Sequence, residues 1–171
     1  MTCCCPLNNL LLVYKLINLN CGGYVMNYEI VELKEKKVVG VSGVTSNNDP
    51  NMGKVIGGLW EKLYKENIIL EINNKVNDYA IGLYSDYEGE SYTVTVGCEV
   101  SKVNNDNLTA KVIPAGRYAK FTIQGNMITA VANSWEEIWK LNLDRSFTGD
   151  FEEYLSNDCE NGIINIYIAL K

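Results

Sequence analysis

The sequence contains no histidine in its 171 residues. Imidazole is the usual base that activates serine and cysteine nucleophiles, so its absence excludes Ser-His-Asp and Cys-His catalysis. It also excludes the zinc sites that depend on histidine and leaves only all-cysteine sites. Any ligand-binding or acid–base chemistry must therefore come from other side chains, and the carboxylates are the first candidates.

The cysteines are unevenly distributed. Four of the six lie within the first 21 residues, three of them consecutively, and only Cys98 and Cys159 lie further along the chain. Consecutive cysteines rarely form a disulfide framework, and this spacing is not that of a zinc site. We therefore predict reduced thiols, a cytoplasmic location, no metal and no cofactor.

Phosphate-binding and positively charged motifs are also lacking. No glycine-rich loop ends in Lys-Ser or Lys-Thr, and the stretch GKVIGG at 53–58 lies within a segment of helical apolar periodicity. The formal net charge of −6 argues against a general nucleic-acid surface and against attraction to anionic lipid. We predict no direct nucleic-acid or membrane binding, and the charge mildly favours cationic partners.

Residues 1–25 differ in composition from the rest of the chain. They carry a single charge, Lys15, and their apolar run at 10–19 is too short to span a bilayer. They also lack the basic start and the small-residue cleavage site of a signal peptide. The stretch GGYVM at 22–26 can be encoded by a ribosome-binding sequence followed by a start codon. We predict that translation starts at Met26 and that residues 1–25 are a misassigned extension; a genuine, poorly ordered extension is the alternative.

From Met26 onward the chain reads as one domain, 26–171, built of two similar halves. Each half starts with strand-like sequence, continues with a helix whose apolar residues recur at helical spacing, and ends with two more strands. We predict an α+β fold of two pseudo-symmetric strand–helix–strand–strand modules, with a mostly antiparallel sheet and two helices packed on one face. The predicted elements lie at 28–45, 49–67, 78–87 and 92–100 in the first half, and at 109–125, 127–143, 148–158 and 162–170 in the second.

Two local patterns refine the first half. Asp49 is followed by Pro50, which predicts a helix capped by Asp49 with Pro50 at its first position. The charged run ELKEKK at 32–37 predicts a solvated turn.

Several stretches in their order and spacing resemble a known family. They include GGLWEKLY at 57–64, PAGRYAKF at 114–121, SWEEIW at 134–139 and FEEY at 151–154. The pattern is similar to the gyrase-inhibitor-like small-molecule-binding domains, which also form the effector-binding part of AraC- and MerR-type multidrug-responsive activators. The resemblance implies a ligand cleft between the two helices near the module junction, and a functional acid, Glu152, in the F-E-x-Y motif. No helix-turn-helix motif precedes this domain, so a sensor module standing alone is expected.

The candidate site is Glu152 with surrounding aromatic side chains. A carboxylate among apolar walls loses hydration, and an organic cation restores the missing charge while aromatic faces add cation–π attraction. Glu153 is its neighbour and points away if the segment is extended. Both glutamates could instead be solvated loop residues, and each aromatic could be core, as we expect for Trp135. The predicted ligand-binding aromatics are Trp60, Tyr84, Tyr118, Trp139, Tyr154 and Tyr167.

Three functions fit these residues. The first is a binding module for lipophilic, often cationic, small molecules. The second, implied by the resemblance, is a hydrolase of cyclopropane-bearing alkylating toxins in which Glu152 is the catalytic residue and activates a water. The third is a protein-interaction role, with DNA gyrase or a regulator as the partner. We favour the binding module.

Overall fold

The computed structural model describes residues 26–171, so the predictions for residues 1–25 lie outside the described residues. The described chain forms eight strands and three helices. They are β1 (Glu29–Leu33), β2 (Lys36–Ser46), α1 (Met52–Lys65), α2 (Ile68–Glu71), β3 (Lys75–Glu88), β4 (Ser91–Val100), β5 (Thr109–Ile113), β6 (Gly116–Gly125), α3 (Met127–Lys140), β7 (Asp150–Tyr154) and β8 (Gly162–Ala169).

All eight strands form one sheet in the order β1-β6-β8-β7-β3-β4-β2-β5. Each neighbouring pair is antiparallel. The order is symmetric about the β7–β3 pair, with β2, β3 and β4 of the first half corresponding to β6, β7 and β8 of the second. The prediction of two pseudo-symmetric modules on an antiparallel sheet is confirmed.

The first strand of each half is divided, which corrects the single strands predicted at 28–45 and 109–125. Residues 34–35 separate β1 from β2, and residues 114–115 separate β5 from β6. Strand β1 pairs with β6 of the second half, and β5 pairs with β2 of the first half. The two halves therefore exchange their opening strands. The proline at position 114 fits this break, since it has no N–H to donate to a sheet.

The helices lie close to their predicted positions, but the start of α1 differs. Helix α1 begins at Met52, and Asn51 is its N-cap residue. Asp49 does not cap the helix; its Oδ1 accepts a 2.8 Å hydrogen bond from the Asn51 backbone N–H within the preceding turn. Asn126 caps α3 by accepting from two backbone N–H groups of the first turn. The one-turn helix α2 was not predicted. Within residues 26–171 no helix is both long and apolar enough to cross a membrane.

Both long helices pack on the same face of the sheet, as predicted. Leu63 of α1 packs in a cluster with Val39 and Val96, and Ile138 of α3 packs in a second cluster with Ile166. The reverse face carries a third apolar cluster that draws on both halves. That cluster comprises Val38, Ile81, Leu83, Ile113, Tyr118, Phe151, Tyr167 and Ala169.

The sheet is strongly curled about its reverse face. Lys36 Nζ on β2 lies 2.8 Å from Glu99 Oε2 on β4 and 3.4 Å from Glu153 Oε1 on β7. Strands β2 and β7 are three places apart in the sheet order, which is roughly 14 Å in a flat sheet. A lysine side chain closes that gap only because the sheet bends. The charged run at 32–37 is therefore not wholly a solvated turn, since Lys36 is partly buried in this contact.

The bend brings β2 and β4 unusually close at one point. Gly40 and Gly97 are register partners. A Cβ on Gly97 would lie 2.0 Å from the Val39 carbonyl oxygen, and one on Gly40 would lie 1.9 Å from the Val96 carbonyl oxygen. Glycine is therefore required at both positions.

Candidate functional site

Glu152 lies at the middle of β7 with its side chain facing the long helices. Its register partners are Gly82 on β3 and Ile166 on β8. Strand alternation places Tyr154 on the same face and Glu153 on the other, as predicted. Gly82 leaves room for the carboxylate, because a Cβ at position 82 would lie 3.2 Å from Glu152 Oε2.

Three neutral side chains donate hydrogen bonds to the Glu152 carboxylate. Trp135 Nε1 donates to Oε1 at 2.6 Å, and the Tyr84 hydroxyl donates to the same oxygen at 2.9 Å. The Tyr154 hydroxyl donates to Oε2 at 2.7 Å. The glutamate is only 1% exposed. Both carboxylate oxygens therefore accept hydrogen bonds from neutral groups, and none of these three donors carries a positive charge.

Burial dominates the electrostatics of this carboxylate. It raises the pKa of Glu152, and the hydrogen bonds from Trp135, Tyr154 and Tyr84 offset part of that rise. Burial and the neighbouring Glu152 charge also raise the pKa of the Tyr84 and Tyr154 phenols, which therefore stay protonated and act as donors. Among the ion pairs of residues 26–171, none includes Glu152. The ionised carboxylate thus lacks a cationic partner within the described chain.

A cavity of about 810 Å³ lies on this face, between α1 and α3. Tyr84 and Trp135 line it and also bond Glu152, with their ring centroids 5.4 Å apart in an edge-to-face arrangement. Glu152 therefore lies directly behind the aromatic wall of the cavity. The other aromatic lining residues are Tyr87, Tyr92, Trp139 and Phe147.

The structure brings four of the six predicted aromatics to this region. Tyr84 and Trp139 line the cavity, and Trp139 is half exposed. Trp60 and Tyr154 do not line it but pack together beside Glu152, with ring centroids 4.9 Å apart. They close off the carboxylate on the side of α1.

Tyr118 and Tyr167 lie on the reverse face of the sheet, and their prediction as residues of the same cleft is corrected. Both belong to the third apolar cluster, where Tyr167 stacks on Phe151 at a centroid distance of 4.3 Å. The Tyr118 hydroxyl donates to the Pro114 carbonyl at 2.8 Å, and the Tyr167 hydroxyl donates to Glu153 at 3.1 Å. The reason is register: Tyr167 pairs with Phe151 and therefore shares its face, not that of the next residue.

Trp135 was predicted to be core, and the structure places it at the site. This partly buried residue of α3 packs against the second apolar cluster, yet its indole N–H reaches Glu152 and its ring lines the cavity. A buried indole N–H usually requires an acceptor, and this requirement was the available signal. Sequence reasoning also missed other lining residues, among them Tyr87, Arg145 and Phe147.

Partly buried Arg145 and fully buried Asp150 form a charge pair at the edge of the cavity. Arg145 Nη2 donates to Asp150 Oδ2, and the Tyr87 hydroxyl donates to the same oxygen at 2.9 Å. Burial and the Asp150 charge raise the pKa of Tyr87. Asp150 is 0% exposed, so its charge is balanced within the protein. Glu152 is therefore the buried carboxylate beside the cavity that the described ion pairs leave without a cation.

Within residues 26–171, no group of three or more carboxylate or thiol side chains is arranged to hold a metal ion. Cys98 is buried in the core under α1 and Cys159 is exposed, and neither forms a disulfide there.

The chain is similar to one protein family and to several solved structures. Residues 29–170 match the family described as Cass2, integron-associated effector binding protein. An integron cassette protein from the mobile metagenome of Vibrio cholerae is 27% identical, covering 84% of this chain and 95% of that one, with a TM-score of 0.69. No curated protein matches the chain.

Two more distant solved structures share the fold. SAV2435, solved bound to tetraphenylphosphonium, is 21% identical over 85% of this chain and 94% of that one, with a TM-score of 0.71. The EcmrR C-terminal domain is 14% identical over 86% of this chain and 99% of that one, with a TM-score of 0.52. These two likenesses show the fold alone.

Proposed function

Because the chain belongs to the Cass2 family of integron-associated effector-binding proteins, we propose that it binds lipophilic cations in the cavity between α1 and α3. Glu152 supplies the negative charge, and the tryptophan and tyrosine rings supply the apolar surface. The observation that carries the proposal is the buried Glu152 carboxylate, which has three neutral donors and no ion-pair partner within residues 26–171.

The energetics favour a cation at this position. Taking a carboxylate out of water is costly, and hydrogen bonds from neutral groups compensate only in part. A ligand cation beside Tyr84 and Trp135 approaches the charge without requiring a lysine or arginine from the protein. Each aromatic face that it contacts adds roughly 0.5–2 kcal/mol of cation–π attraction.

The size of the cavity suits a drug-sized ligand. Its volume of about 810 Å³ lies within the range of roughly 300–1,000 Å³ that is usual for such sites. SAV2435, which shares the fold, was solved with tetraphenylphosphonium bound. Tetraphenylphosphonium is therefore the natural probe, since it is a lipophilic cation that makes no hydrogen bonds.

The test is a titration of the full chain with tetraphenylphosphonium at pH 7.5, followed by quenching of tryptophan fluorescence and by calorimetry. All three tryptophans lie in α1 or α3 near the cavity. Glu152→Gln keeps the shape and removes the charge, and we expect it to weaken binding at least about tenfold. Glu153→Gln is the matched control, since it removes a buried carboxylate from the same strand on the reverse face.

We expect Glu153→Gln to change tetraphenylphosphonium affinity less than about threefold, even where the loss of its contact with Lys36 lowers the melting temperature. Equal losses in the two variants would refute Glu152 as the anchor. Absence of binding to the wild-type chain at millimolar tetraphenylphosphonium would refute the proposed function itself.

The alternatives from the sequence stay predictions. A cyclopropane hydrolase would use Glu152 to activate water, and turnover of a cyclopropane-bearing electrophile that disappears in Glu152→Gln would favour it. Retention of DNA gyrase by the immobilised protein would favour the interaction role. The cytoplasmic location and the absence of direct nucleic-acid binding belong to the proposal as well.

A further inference from the structure

Arg145 borders the same cavity as the aromatic wall and carries the opposite charge to Glu152. It follows α3 in a segment that adds to the sheet beside the end of β8, through a backbone bridge with Leu170. The ring of the next aromatic, Phe147, lies 4.4 Å from the Arg145 guanidinium carbon. Backbone and ring contacts together hold the guanidinium in one place.

The backbone at Phe147 is unusual. Its φ angle is 56°, in the left-handed region that a bulky non-glycine residue rarely adopts. Such conformations are energetically costly and are often found at binding sites. Here the conformation places an aromatic ring both on the wall of the cavity and over Arg145.

The Arg145 guanidinium has N–H groups that have no hydrogen-bond partner within residues 26–171. It has five N–H donors, and within residues 26–171 its one side-chain partner is Asp150, through Nη2. Arg145 Nε is buried without a partner in the same part of the chain. Asp150, in contrast, accepts three hydrogen bonds, since it also accepts from the Tyr87 hydroxyl at 2.9 Å and from the Ala169 backbone N–H at 2.8 Å.

We propose that Arg145 forms a second subsite of the cavity, which binds a carboxylate or another strong acceptor oxygen on a ligand whose cationic part is held near Glu152. The inference deepens the proposed function and rests on it. The preferred ligands are therefore lipophilic cations that also carry an anionic or acceptor oxygen, and not simple hydrocarbon-substituted cations.

The spacing of the strand fits such a ligand. Asp150 and Glu152 lie two residues apart on one face of β7, which separates them by roughly 7 Å. Arg145 pairs with Asp150, so the Arg145 guanidinium and the Glu152 carboxylate are about that distance apart or more. An extended chain of about six bonds between the cationic centre and the oxygen spans this gap.

Arg145 could instead serve only to neutralise Asp150. The two roles are separated with a pair of probes, (4-carboxybutyl)triphenylphosphonium and pentyltriphenylphosphonium. They share the cation and the chain length and differ in the terminal carboxylate. The quantity to measure is the ratio of their affinities at pH 7.5, so that any general effect of a variant on the cavity cancels.

The key variant is Arg145→Met combined with Asp150→Asn, which removes both charges and leaves no unpaired carboxylate. Arg117→Met is the control, since it removes the chain's other arginine from an exposed position on β6. Melting temperatures establish that each variant is folded, and Arg145→Lys is measured as well, in case the double variant does not fold. Arg145→Lys keeps the charge that Asp150 needs but loses the planar array of donors.

We expect the affinity ratio, carboxylate over pentyl, to fall by about tenfold in the double variant and to fall measurably in Arg145→Lys, with no change in Arg117→Met. A ratio that stays within twofold of the wild-type ratio in a folded Arg145 variant would overturn the subsite while leaving the proposed function intact. If neither probe binds the wild-type chain, both the subsite and the proposed function are overturned.

Discussion

The hydroxyl of Tyr154 allows Glu152 to be tested without altering the cavity wall. It donates to Glu152 Oε2 at 2.7 Å, and Tyr154 itself does not line the cavity. Tyr154→Phe removes this donor and keeps the ring that packs on Trp60. The ionised carboxylate loses one of its three donors, so the pKa of Glu152, already raised by burial, rises further. Cation binding, which needs the ionised form, then requires a higher pH.

The size of the effect follows from the hydrogen bond. A hydrogen bond to a charged group contributes about 1.5–3 kcal/mol. The lower value applies here because Trp135 and Tyr84 still donate to the other oxygen. Since 1.36 kcal/mol corresponds to one pH unit, the pH at which tetraphenylphosphonium affinity falls to half should rise by about one unit. Well above that pH both proteins have an ionised Glu152, and their affinities should agree to within about threefold.

The assay is a tetraphenylphosphonium titration from pH 5 to pH 9 on the wild-type chain, on Tyr154→Phe and on Tyr167→Phe. The control is closely matched, since the Tyr167 hydroxyl donates at 3.1 Å to Glu153 on the reverse face of the same strand. Superimposable pH profiles for the wild type and Tyr154→Phe would refute Glu152 as the titrating anchor. An equal displacement of the profile in Tyr167→Phe would refute it too.

Two further predictions concern stability without ligand. The raised pKa of Glu152 means that the folded chain keeps this proton to higher pH than the unfolded chain, so the Glu152 contribution to stability is lost as pH rises from about 4.3 through the raised pKa. Thermal melts should therefore show Glu152→Gln gaining stability relative to wild type between pH 4 and pH 8, and a relative loss over that range would contradict the reasoning. In urea denaturation, Gly97→Ala should lower the free energy of unfolding by about 3 kcal/mol or more, because its Cβ would meet the Val39 carbonyl. Gly57→Ala in α1, where a Cβ has nothing within 4 Å, should instead raise it by about 0.5–1 kcal/mol; equal stabilities in these two variants would show that β2 and β4 do not approach so closely.

The sequence by itself determined the type and order of most elements. Alternation in β8 places Ile164, Ile166 and Ile168 on one face and Asn165 and Tyr167 on the other, as found. Helical spacing predicted α1 and α3 to within a few residues. These patterns are local: a side chain's face depends on its own strand or helix, and so a short stretch of sequence contains the information.

The tertiary structure decided which faces and strands meet. The exchange of β1 and β5 between the halves depends on partners as distant as Glu29 and Lys120 in β1 and β6. The register of β7 with β8, and of β8 with β6, places Tyr167 and Tyr118 on the face of the sheet opposite Glu152. These two tyrosines therefore lie outside the cleft beside Glu152. Pairing partner and register are set by long-range packing, which alternation within one strand does not specify.

The same division applies to the candidate site. The family resemblance made Glu152 the candidate acid, because the F-E-x-Y motif that carries it is a local pattern. Neither the sequence nor the resemblance identified Trp135 or Arg145, since an indole on an apolar helix stripe and an arginine in a connecting segment look ordinary locally. Only the curl of the sheet and the packing of α3 bring the Trp135 indole to the carboxylate and Arg145 to the edge of the same cavity. Their roles depend on distances between elements, and those distances exist only in the folded chain.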